Sequence, residues 1–242
     1  MESMNKQNSS SMILVPGLWL GGWAWDDVAA HLPDDATSVV AVTLPGLESP
    51  AARRDGIHLA DHIAVVVAAI RAASAPVVLV AHSGAGVLAS AALDQAYDQV
   101  SRVVYVDTGP VAAGAIARPD LPPDTIEVGL PTWEQLEAGG ASLAGLSQAM
   151  LDRFRDRAVP HPGGPLLEPV RLSHPERHRV PASVVCCSAP SAVVRQLADT
   201  TEMFAPLKDL THLSYLDLPT GHWPMWSAPR ELAGILTEVS RG

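Results

Sequence analysis

An α/β fold with a mostly parallel sheet flanked by helices is predicted on three observations. Short apolar runs bounded by turn residues recur along the chain, helical patterns lie between consecutive runs, and this spacing breaks once, between about 109 and 180. The runs are MILVP (12–16), SVVAVTL (38–44), PVVLVA (76–81), RVVYVD (102–107), SVVCCS (183–188) and LSYLDL (213–218). Most are continuously apolar, the pattern of strands buried on both faces. Helices are expected at 23–31, 58–73, 85–97, 191–203 and 229–239. The stretch 109–180 is rich in Pro, Gly, Ala and Arg, with helical pieces at 133–136 and 143–156. It is too long for a plain loop and reads as an inserted helical cap. Residues 1–11, MESMNKQNSSS, are polar and aperiodic and are expected to form a tail before a single domain spanning 12–242.

Composition narrows the function. Of 242 residues, 48% are hydrophobic and 17% charged, enough apolar chain for one large core. The formal net charge of -10 argues against nucleic acid or an anionic membrane as partner, since both need clustered Lys and Arg. Cys186 and Cys187 are neighbours in a strand, so they point to opposite faces and are expected to be free thiols in a reducing, cytoplasmic setting. No metal-ligand cysteine spacing or HExxH helix occurs, and no run of 18 apolar residues is long enough to span a membrane. A signal peptide fits poorly, because Pro16 and Gly17 break the first apolar run and cleavage there would remove the first strand.

The stretch LVAHSGAG (79–86) admits two readings. GAGVLA (84–89) matches G-x-G-x-x-A, follows a strand, opens a helix and has Asp107 about twenty residues on, as in a dinucleotide loop. It follows two earlier strand units, however, and no Tyr-x-x-x-Lys accompanies it. The other reading makes Ser83 a nucleophile on a sharp strand-to-helix turn, where small residues are needed two positions to either side; Ala81 and Ala85 stand there. His222, in LPTGHWPMW (218–226), follows the last strand, where a general base completes the chain order nucleophile, acid, histidine. His82 points away from the serine hydroxyl and reads as a packing residue. In the glycine-rich loop VPGLWLGGWAW (15–25), the backbone N–H of Leu18, together with that of Gly84, is the candidate oxyanion donor.

Together the V-x-G-x-x-x-G-x-W loop, the serine elbow and the terminal GHWP resemble the α/β-hydrolase superfamily, in its small esterase and hydroxynitrile-lyase-like branch, from Met12 to the end. The resemblance implies an α/β-hydrolase fold, a Ser-His-acid triad, no cofactor and a cap over the site. Two departures stand out. Pro16-Gly17 replaces the family's usual His-Gly, which alters how the loop is pinned. The family usually carries its acid after the penultimate strand, yet no Asp or Glu occurs from Pro181 to Ala198. The alternative location follows the strand after the nucleophile helix, which makes Asp107 the favoured acid; Asp199 and Asp217 are lesser candidates.

The expected reaction is cleavage of a small hydrophobic carboxylic ester or lactone through an acyl-enzyme on Ser83. Trp19, Leu20, Trp133, Trp223 and Met225 are the candidate substrate-binding residues, joined by Leu136 in the cap. Arg153, Arg155 and Arg157 read as a solvated helix face. Two alternatives use the same fold: a lyase or isomerase working through the triad as acid and base, disfavoured because Lys6 and Lys208 are poorly placed, and a binding protein without turnover.

Overall fold

The computed structural model describes residues 10–33 and 37–241. In chain order the strands are β1 (Ser10–Val15), β2 (Thr37–Ala41), β3 (Val77–His82), β4 (Val100–Val106), β5 (Glu127–Val128), β6 (His161–Pro162), β7 (Ala182–Cys186) and β8 (Leu213–Asp217). Six of them form one sheet in the order β2-β1-β3-β4-β7-β8, with every neighbouring pair parallel. β5 and β6 pair antiparallel as a separate two-stranded ribbon. The α/β-hydrolase fold expected from the sequence is present.

Continuous apolar runs suit this sheet because both of its faces are covered. Along β3, Val77, Leu79 and Ala81 turn to one core and Val78 and Val80 to the other. The first core is aliphatic and lies beneath α2 (Leu59–Ala72) and α3 (Gly86–Ala96). The second is rich in tryptophan and includes residues of α8 (Pro224–Ser227) and α9 (Pro229–Arg241). Fully burying one side chain such as Leu79 contributes about 1.5–3 kcal/mol. Cys186 and Cys187 divide between the two cores and are unpaired, as strand neighbours must be. Burial pushes the Cys186 thiol up to about 12.

Boundaries differ from expectation for identifiable reasons. Ser10 and Ser11, assigned by sequence to the tail, are buried in β1, where Ser11 pairs with Ser38 on one side and Val77 on the other. The remaining tail positions, 1–9, lie outside the described residues. The helix expected at 23–31 divides into a 3₁₀ turn, Gly22–Trp25, and a single α-turn, α1 (Asp26–Ala29). Farther on, α7 (Ser191–Thr200) stops short of Met203, and the hydroxyls of Thr200 and Thr201 donate back to the carbonyls of Gln196 and Leu197.

Between β4 and β7 the chain carries the β5–β6 ribbon, α4 (Trp133–Ala138), α5 (Gln148–Arg157) and α6 (Gly164–Leu167). α5 begins later than its periodicity suggests because the Ser147 hydroxyl caps it, accepting from the Met150 N–H at 3.4 Å. Phe154 of α5 is fully buried against Trp133, Trp223 and Trp226. The arginines of α5 lie over aromatic rings: Arg157 sits 4.3 Å from the Trp23 ring centre and Arg155 4.2 Å from that of Trp133. Arg153 pairs with Asp27 at 2.6 Å. Arg155 and Arg157 are exposed, as a solvated face requires, while half-buried Arg153 ties the helix to Asp27. The return leg is anchored by buried Asp94 of α3, which accepts from the backbone N–H groups of Ser173 and His174 and from Arg177.

Candidate active site

The loops after β1, β3, β4 and β8 meet at the C-terminal edge of the sheet. Among the described residues, three non-glycine side chains sit on a left-handed backbone: Trp19 (φ 66°), Ser83 (φ 53°) and Asp107 (φ 48°). All three belong to this cluster, where packing sustains conformations that cost energy elsewhere.

Ser83 stands between the end of β3 and α3, with buried Ala81 and Ala85 flanking it. Small residues are required because the turn is crowded. A Cβ on Gly84 would come within 2.9 Å of the Leu18 side chain, and one on Gly86 within 2.4 Å of the Gly109 carbonyl. The glycines of the G-x-G-x-x-A match thus accommodate protein atoms where a dinucleotide loop would admit a pyrophosphate.

His222 is held at four points. The Ser83 hydroxyl donates to its Nε2 at 2.7 Å, and its Nδ1 donates to Asp107 Oδ2 at 2.6 Å. Its backbone N–H donates to the Ser142 carbonyl at 2.7 Å, and its own carbonyl accepts from His82 Nε2 at 2.7 Å. Gly221 is needed beside it, since a Cβ there would lie 2.4 Å from the Ala144 carbonyl of the inserted segment. The Trp223 ring stands edge-on to the imidazole, 4.9 Å away. His82, whose side chain reads from sequence as packing, therefore also fixes the main chain of the neighbouring histidine. Burial, reinforced by the nearby His222, pushes its pKa down to about 3, so the ring stays neutral. Donation from Nε2 leaves His82 Nδ1 as a lone pair facing Gly17, where an added Cβ would approach within 2.9 Å.

Asp107 extends from the end of β4 to the end of β7. Its Oδ1 accepts from the N–H groups of Cys187 and Ser188 at 3.1 and 2.9 Å, and its Oδ2 also accepts from the Ser188 hydroxyl at 2.6 Å. Burial opposes the carboxylate, but the hydrogen bonds from His222 and Ser188 outweigh it and bring the pKa down to about 2. The other acids are engaged elsewhere: Asp217 accepts from the Ser191 N–H and hydroxyl at the start of α7, and Asp199 lies on the surface 3.9 Å from Lys208.

The loop after β1 closes the opposite side. The N–H of Leu18 in this loop and that of Gly84 after Ser83 have no acceptor among the described residues. Trp19 pins the loop to the inserted segment: its Nε1 donates to the Val128 carbonyl and its carbonyl accepts from the Val159 N–H, both at 3.0 Å. Gly22 N–H donates to Thr43 Oγ1 at 2.9 Å. These contacts hold a loop that begins Pro16-Gly17. Beside Leu18 and Gly84 lies a small, partly open cleft walled by side chains including Leu44, Leu59, Leu88 and Leu166.

The chain matches the alpha/beta hydrolase family over residues 12–235. It belongs to that family. Curated relatives are esterases by name. Methylesterase 7 of Arabidopsis thaliana is 25% identical over 263 residues, covering 98% of each chain. The carbendazim hydrolyzing esterase of Nocardioides sp. (strain SG-4G) is 31% identical over 100 residues, 40% of this chain and 41% of that protein. Among solved structures, the methylesterase MES16 from Arabidopsis superposes with a TM-score of 0.74 at 18% identity, covering 96% of this chain and 98% of the other. The esterase branch suggested by the sequence is the one in which these curated relatives lie.

Within this α/β-hydrolase, the residues expected to bind substrate lie largely in the tryptophan-rich core, with Trp223 also edge-on to the His222 imidazole. Leu20 and Met225 are wholly buried, and Trp19 and Trp223 nearly so, in the tryptophan-rich core; Trp133 packs on Phe154 there, and Leu136 is buried with them. None of them walls the cleft beside Leu18 and Gly84. Large apolar side chains in this region are consumed in bonding the inserted segment to the sheet, which residue type alone does not reveal. Sequence reasoning missed Ser188. Ser188 had one signal: it follows the strand whose expected acid is missing. Among the described residues, no cluster of three or more His, Cys, Asp or Glu could hold a metal ion, and no helix is long and apolar enough to cross a membrane.

Proposed function

We propose that the protein is a serine hydrolase that cleaves a small carboxylic ester or lactone through Ser83, His222 and Asp107. The observation that carries this reading is the unbroken hydrogen-bonded line from a left-handed Ser83 through His222 to a carboxylate held well below its ordinary pKa. Ser83 Oγ attacks the carbonyl carbon as its proton passes to His222 Nε2. The resulting oxyanion accepts from the N–H groups of Leu18 and Gly84, the latter at a helix N-terminus. Collapse breaks the bond to the leaving alcohol, which takes the proton from His222. Water then repeats the sequence at the acyl-enzyme, releasing the carboxylic acid and restoring the serine. Asp107 holds the imidazole in the tautomer that accepts from Ser83 and stabilises the imidazolium. The likeness to a methylesterase favours a small leaving alcohol.

The test is hydrolysis of p-nitrophenyl acetate and butyrate by the wild type beside Ser83→Ala. Turnover by the wild type and a loss of at least about 10³-fold in the variant are expected. Equal rates for the two proteins would remove Ser83 from the chemistry.

A further inference from the structure

A second cavity, of about 120 Å³, opens between α3, the loop that follows Asp107 and the 3₁₀ turns Pro175–Arg179 and Ala205–Asp209. Ser83, His222 and Asp107 do not wall it, and the mechanism uses none of its residues. An apolar cavity of about 150 Å³ holds a benzene molecule, so this one has room for about five or six non-hydrogen atoms. Most of its wall is apolar, with Leu93, Val111, Pro206 and Leu210 among the residues. Ser90 and Tyr105 also line it. Ser90 Oγ donates to the Gly86 carbonyl at 2.9 Å and accepts from the Val111 N–H at 3.1 Å, tying the loop after Asp107 to the first turn of α3. Burial holds the Tyr105 phenol in its protonated form, so neither group places a charge in the cavity.

Arg177 does. Its side chain is 14% exposed, and both of its hydrogen bonds leave from Nη1, to Asp94 Oδ1 at 3.2 Å and to the His174 carbonyl at 2.8 Å. These bonds fix the guanidinium and spend one of its nitrogens. Nε and Nη2 have no acceptor among the described residues, and both keep open surface. The guanidinium lies close enough to Tyr105, another wall residue, for its charge to act on the phenol. Its Nε–Nη2 edge offers two parallel N–H donors, the pattern that meets the two oxygens of a carboxylate. Asp94 does not exhaust that edge, since its charge is met as well by the Ser173 N–H and hydroxyl and by the His174 N–H. His178 walls the cavity beside Arg177; burial and the guanidinium lower its pKa, so a neutral ring has one N–H to give. Asp209 is the one carboxylate on the wall, and it is exposed, where water screens it.

We infer that this cavity binds a small monocarboxylate with a short carbon chain, its two oxygens on the Nε–Nη2 edge of Arg177 and its chain against Leu93, Val111 and Leu210. A concave, mostly apolar wall with one charged group held in place is the usual form of a small-molecule site. Inorganic phosphate would satisfy the guanidinium and leave the apolar wall unused. The site is separate from the triad and goes beyond the hydrolase reading. It lies where Ser90 joins α3, which Ser83 leads, to the loop that leaves Asp107.

The test titrates the wild type, carrying isotope-labelled leucine and valine methyl groups, with butyrate, butyramide and inorganic phosphate, followed by NMR. Butyrate is expected to bind saturably with a Kd of about 1 mM and to shift the methyl signals of Leu93, Val111 and Leu210. It should bind about tenfold or more tightly than butyramide, which has the same size and no charge, and more tightly than phosphate. Arg177→Lys keeps a cation beside Asp94 but loses the two-donor edge, and should weaken butyrate by about tenfold or more. Ala113→Phe, which fills the mouth of the cavity from an exposed position, should weaken butyrate and butyramide alike. Equal affinity for butyrate and butyramide, phosphate binding as tight as butyrate, or butyrate binding unchanged in either variant would overturn the inference. So would shifts confined to Leu18 and Leu143, which would place the acid at the triad. None of these readings needs turnover, so the site stands or falls apart from the hydrolase reading.

Discussion

The ends of β4 and β7 lie side by side, joined by the bond from Asp107 N–H to the Val185 carbonyl, yet they make opposite contributions. β4 ends in a carboxylate; β7 ends in two N–H groups and a hydroxyl that hold it and carries no carboxylate of its own. The family resemblance locates an acid after β7. Here that strand end is a cradle for an acid arriving from next door. The difference teaches that the orientation of the histidine is set by where the carboxylate oxygen comes to rest, and that a neighbouring strand can supply it when the vacated end retains donors.

The harshest way to break this comparison is Asp107→Asn. Turnover of p-nitrophenyl butyrate should fall by about 10⁴-fold with the fold intact by circular dichroism, because an amide turns the imidazole to the wrong tautomer. Near-normal turnover would separate Asp107 from the chemistry. A sharper experiment returns the acid to β7: Asp107→Ser combined with Ser188→Asp should recover about tenfold or more over Asp107→Ser alone, since the two side chains already meet at 2.6 Å. No recovery would mean that the ends of the two strands are not interchangeable. Ser188→Ala tests the cradle alone. A hydrogen bond to a charged group is worth about 1.5–3 kcal/mol, so kcat should drop roughly tenfold or somewhat more while KM holds.

The smallest effect concerns His82, which braces the other side of His222. Its folded pKa is about 3, against about 6.5 in an unfolded chain, so below pH 6.5 the unfolded state takes up a proton that the folded state refuses. Stability falls as pH drops from there toward 3, by about 1.4 kcal/mol per pH unit for this group. Asp107 acts lower down: its contribution is present above about pH 4 and is lost as pH falls through about 2. Urea midpoints measured between pH 7 and 5 should therefore decline for the wild type and decline less steeply for His82→Phe. Parallel slopes would show that His82 is already charged in the folded protein.

The strands were legible in the sequence because a parallel sheet covered on both faces demands unbroken apolar runs such as VVLVA, ended by turn residues. Ser83, His222 and Asp107 were legible because each follows a strand and the order of the strands is fixed by the chain. The partners that hold them were not. Ser142 and Val128 come from the inserted segment, where Pro and Gly interrupt any periodicity, and their contacts depend on how that segment docks. The packing of the tryptophans was hidden for a related reason. Trp133 and Trp223 have the chemistry of a ligand-binding wall, and both also pack on Phe154 of α5, a contact that only the docking of the inserted segment creates.

The most direct test of the central claim is covalent labelling. Wild type and Ser83→Ala are treated with a fluorophosphonate and followed by intact mass and peptide mapping. A single adduct on Ser83, absent from Ser83→Ala and formed much more slowly in Asp107→Asn, is the expected result. An unlabelled wild type, or an adduct on any other residue, would contradict the account.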